Sequence, residues 1–111
     1  MSNYSKNEIV LIKYPFSDLS TFKVRPAIVV NSDYPSKDLI IIPLTSRMIN
    51  LLPGEFILSK WKESGLNVPT IVKRGIFTID EKLVIQSIGK LHQDDIIYLE
   101  KSILYWLGFD K

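Results

Sequence analysis

The chain contains no cysteine, which excludes disulfides, thiolate zinc sites and cysteine nucleophiles and fits a reducing compartment. It has one histidine, His92, so the commonest general acid/base is available at a single position. Lying just before the last amphipathic segment, His92 reads as a cap or surface residue rather than a catalyst. Neither a GxGxxG loop nor a GxxxxGK loop followed by Ser or Thr is present, and no His, Asp and Glu cluster has metal-ligand spacing. The expectation is chemistry with no cofactor and no metal. No apolar run approaches the roughly 18 residues of a membrane span, and the N-terminal stretch lacks a basic region followed by an apolar one. A cytoplasmic chain with no membrane partner is expected.

An excess of one charge over the other is also lacking. The net charge is only +2, too weak a balance for coating duplex phosphates. It leaves room for a locally basic groove that holds a short single strand, where stacking and a few cations suffice.

What the sequence has in quantity is short β-branched runs between turn residues. With 111 residues, 46% of them apolar, it is long enough for one self-sufficient core, so a single domain over 1–111 is expected. Period-two runs appear at 8–13, 26–30, 39–42, 55–58, 70–73, 76–79 and 82–88. The second and third are apolar at consecutive positions, as strands covered on both faces are, and so read as central. Pro43 predicts a strand end or bulge because it cannot donate to a ladder. The stretch Ser59 to Ser64 predicts one or two helical turns, capped by Ser59 and ended by Gly65. From Asp94 onward the period changes. Ile96, Leu99, Ile103 and Trp106 share one helical face, acids come first, and Gly108 stands where a left-handed end residue is wanted. Trp61 and Trp106 read as core or interface anchors.

Three segments then stand together: Glu8 with Ile9 and Val10; Arg25-Pro26 leading into Ala27 to Val30; and Pro43-Leu44-Thr45-Ser46 after the third strand. With Gly65-Leu66, Pro69-Thr70, Phe77 to Asp80 and Ile88 to Leu91 following in order, nearly the whole chain resembles the MazF/PemK family of toxin endoribonucleases. The resemblance implies a mainly β (α+β) fold. It would be an SH3-like small β-barrel with a short helix after the middle strands and a C-terminal helix. It further implies a homodimer, a cognate antitoxin as partner, and metal-independent cleavage of single-stranded RNA by the ribose 2′-hydroxyl to leave a cyclic phosphate.

The residues fit that chemistry. In-line attack builds negative charge on phosphate oxygens, and a guanidinium offers a fixed fork of donors to hold it. Arg25 is the first candidate catalytic residue, and Thr45 and Ser46 are hydroxyl donors that fix the geometry. In the loop 17–23, Phe22 and Lys23 suit base stacking and phosphate holding, while Asp18 is the available carboxylate. Thr70 and Lys73 complete the candidate RNA contacts. Each has a plainer reading: Arg25 as a solvated residue guarding a strand, Thr45 and Ser46 as a polar strand end, Phe22 as packing beneath its loop. Where the family has Gly-Asp, this chain has Asn7-Glu8, which keeps the acid, loses the glycine turn, and predicts a different approach of the N-terminus. The stretch 65–73 lacks the carboxylate that some members place there, which leaves the general base unassigned. Two other readings compete: a gyrase-poisoning, CcdB-like binding module on the same barrel, and a decayed toxin that only binds its antitoxin.

Overall fold

Side chains along the first strands alternate between two separate buried clusters, and this alternation sets the architecture. A computed structural model describes residues 3–14, 23–31, 37–48 and 50–110. Its strands are β1 (Glu8–Tyr14), β2 (Lys23–Val29), β3 (Asp38–Thr45), β4 (Phe56–Ile57), β5 (Ile71–Val72), β6 (Phe77–Asp80) and β7 (Val84–Lys90), followed by helix α1 (Gln93–Leu107). All pair antiparallel in the order β4-β5-β3-β2-β1-β7, with β6 also on β3. The sheet is curled but not closed, so the fold is a mainly β antiparallel sheet with a C-terminal helix.

Directly paired residues share a face. Ile9, Ile28 and Ile42 therefore form one row, which α1 covers through Leu99, with Ile96, Ile103 and Trp106 packed alongside. On the other face Val10, Ala27 and Val29 pack with Leu39, Ile41 and Ile79 as the sheet folds over itself. β2 and β3 are central, as their continuous apolar runs predict. Pro43 lies inside β3 rather than at its end. It falls where β3 passes from β6, paired through Ile41, to β5, paired from Leu44, so a missing donor is tolerated there.

The stretch 59–65 folds as consecutive hydrogen-bonded turns and not as the short helix expected. Ser64 and Gly65 donate to the carbonyls of Lys60, Trp61 and Lys62. Its first N–H groups are capped from a distance: the buried Asp95 carboxylate of α1 accepts from Ser59 N, Ser59 Oγ and Lys60 N, each at 2.9 Å. Ser59 is therefore a capped residue and not the cap. These turns lie directly on β7. A Cβ at Gly89 would stand 2.2 Å from the Ser64 carbonyl oxygen, so only glycine permits the approach.

His92 is the N-cap of α1, its Nδ1 accepting from Asp94 N at 3.1 Å, and Gly108 closes the helix at φ 78°. Trp106 anchors the helix by donating from Nε1 to the Pro53 carbonyl. Asn7 has φ 73°, so the left-handed turn survives without glycine, in one of the few side chains that adopt it readily. Its N–H donates to the Val29 carbonyl and its carbonyl accepts from Leu91 N, which fixes the start of β1.

Candidate nucleic-acid site

One row along the sheet from Ile9, Ile28 and Ile42 stand Gln86, Leu11 and Pro26, paired across β7, β1 and β2. Here the cover of α1 and the 59–65 turns stops. This partly buried row lines a cleft of about 930 Å³, with residues 65–68 as one wall. Arg25, Thr45, Ser46, Arg47 and Lys73 line it, with Asn67 and Gln86 as neutral amides. A second opening of about 310 Å³ adjoins it, lined by Lys23, Arg25, Thr45, Lys73, Arg74 and the rings of Tyr14 and Phe77. Arg25, Thr45 and Lys73 belong to both.

Five cations, Lys23, Arg25, Arg47, Lys73 and Arg74, thus face the two openings, and among the described residues lining them there is no carboxylate. A chain of almost balanced charge concentrates positive charge in one place, where low-dielectric walls strengthen its field on an anion.

The polar groups are set for donation. Arg25 is exposed, with one guanidinium nitrogen on the Val24 carbonyl at 3.1 Å, which orients the fork and leaves its other donors available. The Thr45 hydroxyl accepts from Arg47 N at 3.2 Å, so its own hydrogen is left for an acceptor in the cleft. Lys73 is held 3.3 Å from Oε2 of Glu55, a carboxylate buried beneath the rim. Glu55 also accepts from Arg74 N and Leu52 N. Burial alone would raise the Glu55 carboxyl, but the two N–H groups and the lysine prevail and hold it below the ordinary value.

The structure thus gathers Arg25, Thr45, Ser46 and Lys73 at one cleft and puts Lys23 at its smaller neighbour. Thr70 also lines the cleft but is almost fully buried, its hydroxyl donating to the Val68 carbonyl at 2.8 Å. It shapes the wall. Asp18 and Phe22 lie outside the described residues.

The family model for PemK-like, MazF-like toxins of type II toxin-antitoxin systems matches residues 5–107. The chain belongs to this family. An endoribonuclease in complex with its cognate antitoxin from a Mycobacterial species is similar, with TM-score 0.78 and 11% identity over 97% of this chain and 98% of the other. The Mycobacterium tuberculosis toxin MazF-mt6 gives 0.75 and 19% over 94% and 99%. A MazE-MazF structure from Deinococcus radiodurans gives 0.75 and 15% over 96% and 98%. A search of curated protein sequences gives no match.

On this MazF-like scaffold, sequence reasoning passes over Arg47, Arg74 and Glu55. Arg47 directly follows Thr45-Ser46 and Arg74 directly follows Lys73, so adjacency was the available signal for both. Glu55 gave none, because at the edge of an apolar run it reads as the solvated start of a strand.

Proposed function

We propose that this chain is the toxin of a type II pair and a sequence-specific endoribonuclease of single-stranded RNA. The observation that carries the reading is the shared rim of the two openings, where Arg25, Thr45 and Lys73 meet and where the one carboxylate in contact, Glu55 on Lys73, is buried and lines neither opening. A phosphate seated there has a charged fork, a hydroxyl donor and an ammonium around it, the set that in-line attack by the neighbouring 2′-hydroxyl requires. That nucleophile belongs to the substrate, which explains a preference for RNA over DNA. The attack forms the bond from the 2′-oxygen to phosphorus and breaks the bond to the 5′-oxygen, leaving a cyclic phosphate on one fragment and a 5′-hydroxyl on the other, with one proton lost from the 2′-hydroxyl and one gained by the departing oxygen. Arg25 and Lys73 hold the developing charge, Thr45 and Ser46 orient the phosphate, and Lys23 and Arg47 hold flanking phosphates. No metal enters this scheme.

The related structures that include antitoxins support an antitoxin partner here, one whose acidic segment would compete with RNA for the same cations. Ile97, Tyr98, Leu104 and Tyr105, exposed at seven-residue spacings on the outer side of α1, support a homodimer. The composition supports a cytoplasmic setting. Among the described residues no helix is long and apolar enough to cross a membrane.

The test is incubation with mixed-sequence single-stranded RNA in excess EDTA, beside Arg25→Ala and Thr45→Ala, with mapping of the new ends. Cuts at a short recurring sequence with cyclic phosphate ends, lost in Arg25→Ala, are expected. Intact RNA with folded wild type would overturn the reading in favour of a binding module.

A further inference from the structure

Beyond the phosphate locus, the smaller opening has a chemistry of its own. Tyr14 at the end of β1 and Phe77 at the start of β6 meet there edge to face, with ring centroids 6.3 Å apart and planes at 76°. Both rings are half-buried and both line the opening. The Phe77 ring also lies down on Gly75. A Cβ at that position would stand 2.9 Å from its Cε2, so the ring is held from below by backbone. At about 310 Å³ the space matches the low end of the roughly 300–1,000 Å³ typical of small-molecule sites, enough for one planar ring system.

We infer that this opening is a nucleobase subsite, in which the base next to the scissile phosphate stacks against Phe77 while its other neighbour lies in the larger cleft. The inference rests on the ribonuclease reading and deepens it. Arg25, Thr45 and Lys73 line both openings, so a phosphate between them has one opening on each side. Lys23 and Arg74 at the margin of the smaller one serve the next phosphate along the strand. Stacking tolerates any base because every base has a π-face. Strict choice of sequence then falls to the larger cleft, where Asn67 and Gln86 present amides able to read base edges.

The experiment is a titration of the full chain with each of the four nucleoside 5′-monophosphates, following the ring signals of Tyr14 and Phe77 and the side-chain signals of Arg25 and Lys73 by NMR. Ribose 5-phosphate is the probe without a base. Nucleotides are expected to move the ring signals upfield, whereas ribose 5-phosphate moves only those of Arg25 and Lys73. Phe77→Leu keeps the packing beneath and is expected to weaken nucleotide binding roughly five- to 150-fold, with Phe77→Tyr restoring it. Rings that stay still while Arg25 and Lys73 respond, or that respond equally to ribose 5-phosphate, overturn the subsite and leave the phosphate locus standing. If none of the four residues responds, both fall. Ring shifts in a protein that cuts no RNA sustain the subsite and overturn the ribonuclease alone.

Discussion

Replacing Glu55 by Gln removes one charge and one acceptor from a carboxylate that serves three donors, and the cost can be worked from its contacts. Oε1 accepts from Leu52 N at 2.8 Å, and Oε2 accepts from Arg74 N at 2.9 Å and lies 3.3 Å from the Lys73 ammonium. The amide of glutamine keeps one oxygen and turns an N–H₂ toward one of the two backbone donors. A buried N–H left without an acceptor costs about 1–3 kcal/mol. Lys73 keeps partial access to water, so the ion pair adds at most about 1 kcal/mol. The expected loss is about 1–4 kcal/mol, or about 4–16 °C in Tm for a domain of this size. Urea unfolding followed by tryptophan fluorescence measures it. The pH dependence supplies a second check. Because folding lowers the Glu55 pKa, its stabilisation is complete above the unfolded value near 4.5 and is lost as pH falls through the folded value. Wild type and Glu55→Gln should therefore converge in acid and diverge toward neutral pH. A difference below about 0.5 kcal/mol at pH 7, or one that grows in acid, would refute the assignment of Glu55 as the anchor of Lys73 and of the 52–55 turn.

Arg25→Ala should lower kcat for RNA cleavage by about 10²–10³ while leaving the urea midpoint unchanged, since the side chain is exposed and its loss is felt where charge develops; an equal loss of stability would make its role structural. Thr45→Ser should retain most activity and Thr45→Val lose it, measured as initial cleavage rates on one oligonucleotide. Asn7→Gly should be neutral or slightly stabilising and Asn7→Ala should cost about 1 kcal/mol, because φ 73° is strained for alanine; thermal melts decide. Asp95→Ala should free the Ser59 and Lys60 N–H groups and cost about 2–4 kcal/mol, with hydrogen exchange fastest over 59–66, the turns that lead into the wall of the cleft.

Much of the fold was legible because it depends on local chemistry. Alternating apolar residues located all seven strands, and consecutive burial identified β2 and β3 as central. Helix α1 declared both its ends through His92, the early acids and Gly108. The errors have long-range causes. Ser59 looked like a cap because its own sequence suits one, but the acceptor is Asp95, 36 residues away. Pro43 looked like a strand end because a lone strand cannot use it, yet β3 has two successive partners on one side and spends the missing donor at the changeover.

The site was legible by residue type and not by assembly. Arg25 and Thr45 carried a signal in their neighbours, Arg25-Pro26 and Thr45-Ser46, whereas Lys73 was a candidate contact whose position beside them is set by register. Leu44 pairs with Val72 and Thr45 with Ile71, which places Lys73 beside Pro43, where its N–H reaches the Pro43 carbonyl at 3.0 Å. Pro43 in turn pairs with Ala27, two residues from Arg25. Two ladders therefore set the spacing between the guanidinium and the ammonium. A one-residue slip in β5 would turn Lys73 to the opposite face and leave the phosphate locus with one cation fewer. That slip is opposed where sequence reasoning did not look. Glu55 binds Arg74 N and the Lys73 ammonium together, and Leu58 N binds the Thr70 carbonyl, so β5 is pinned from both ends by residues that line neither opening.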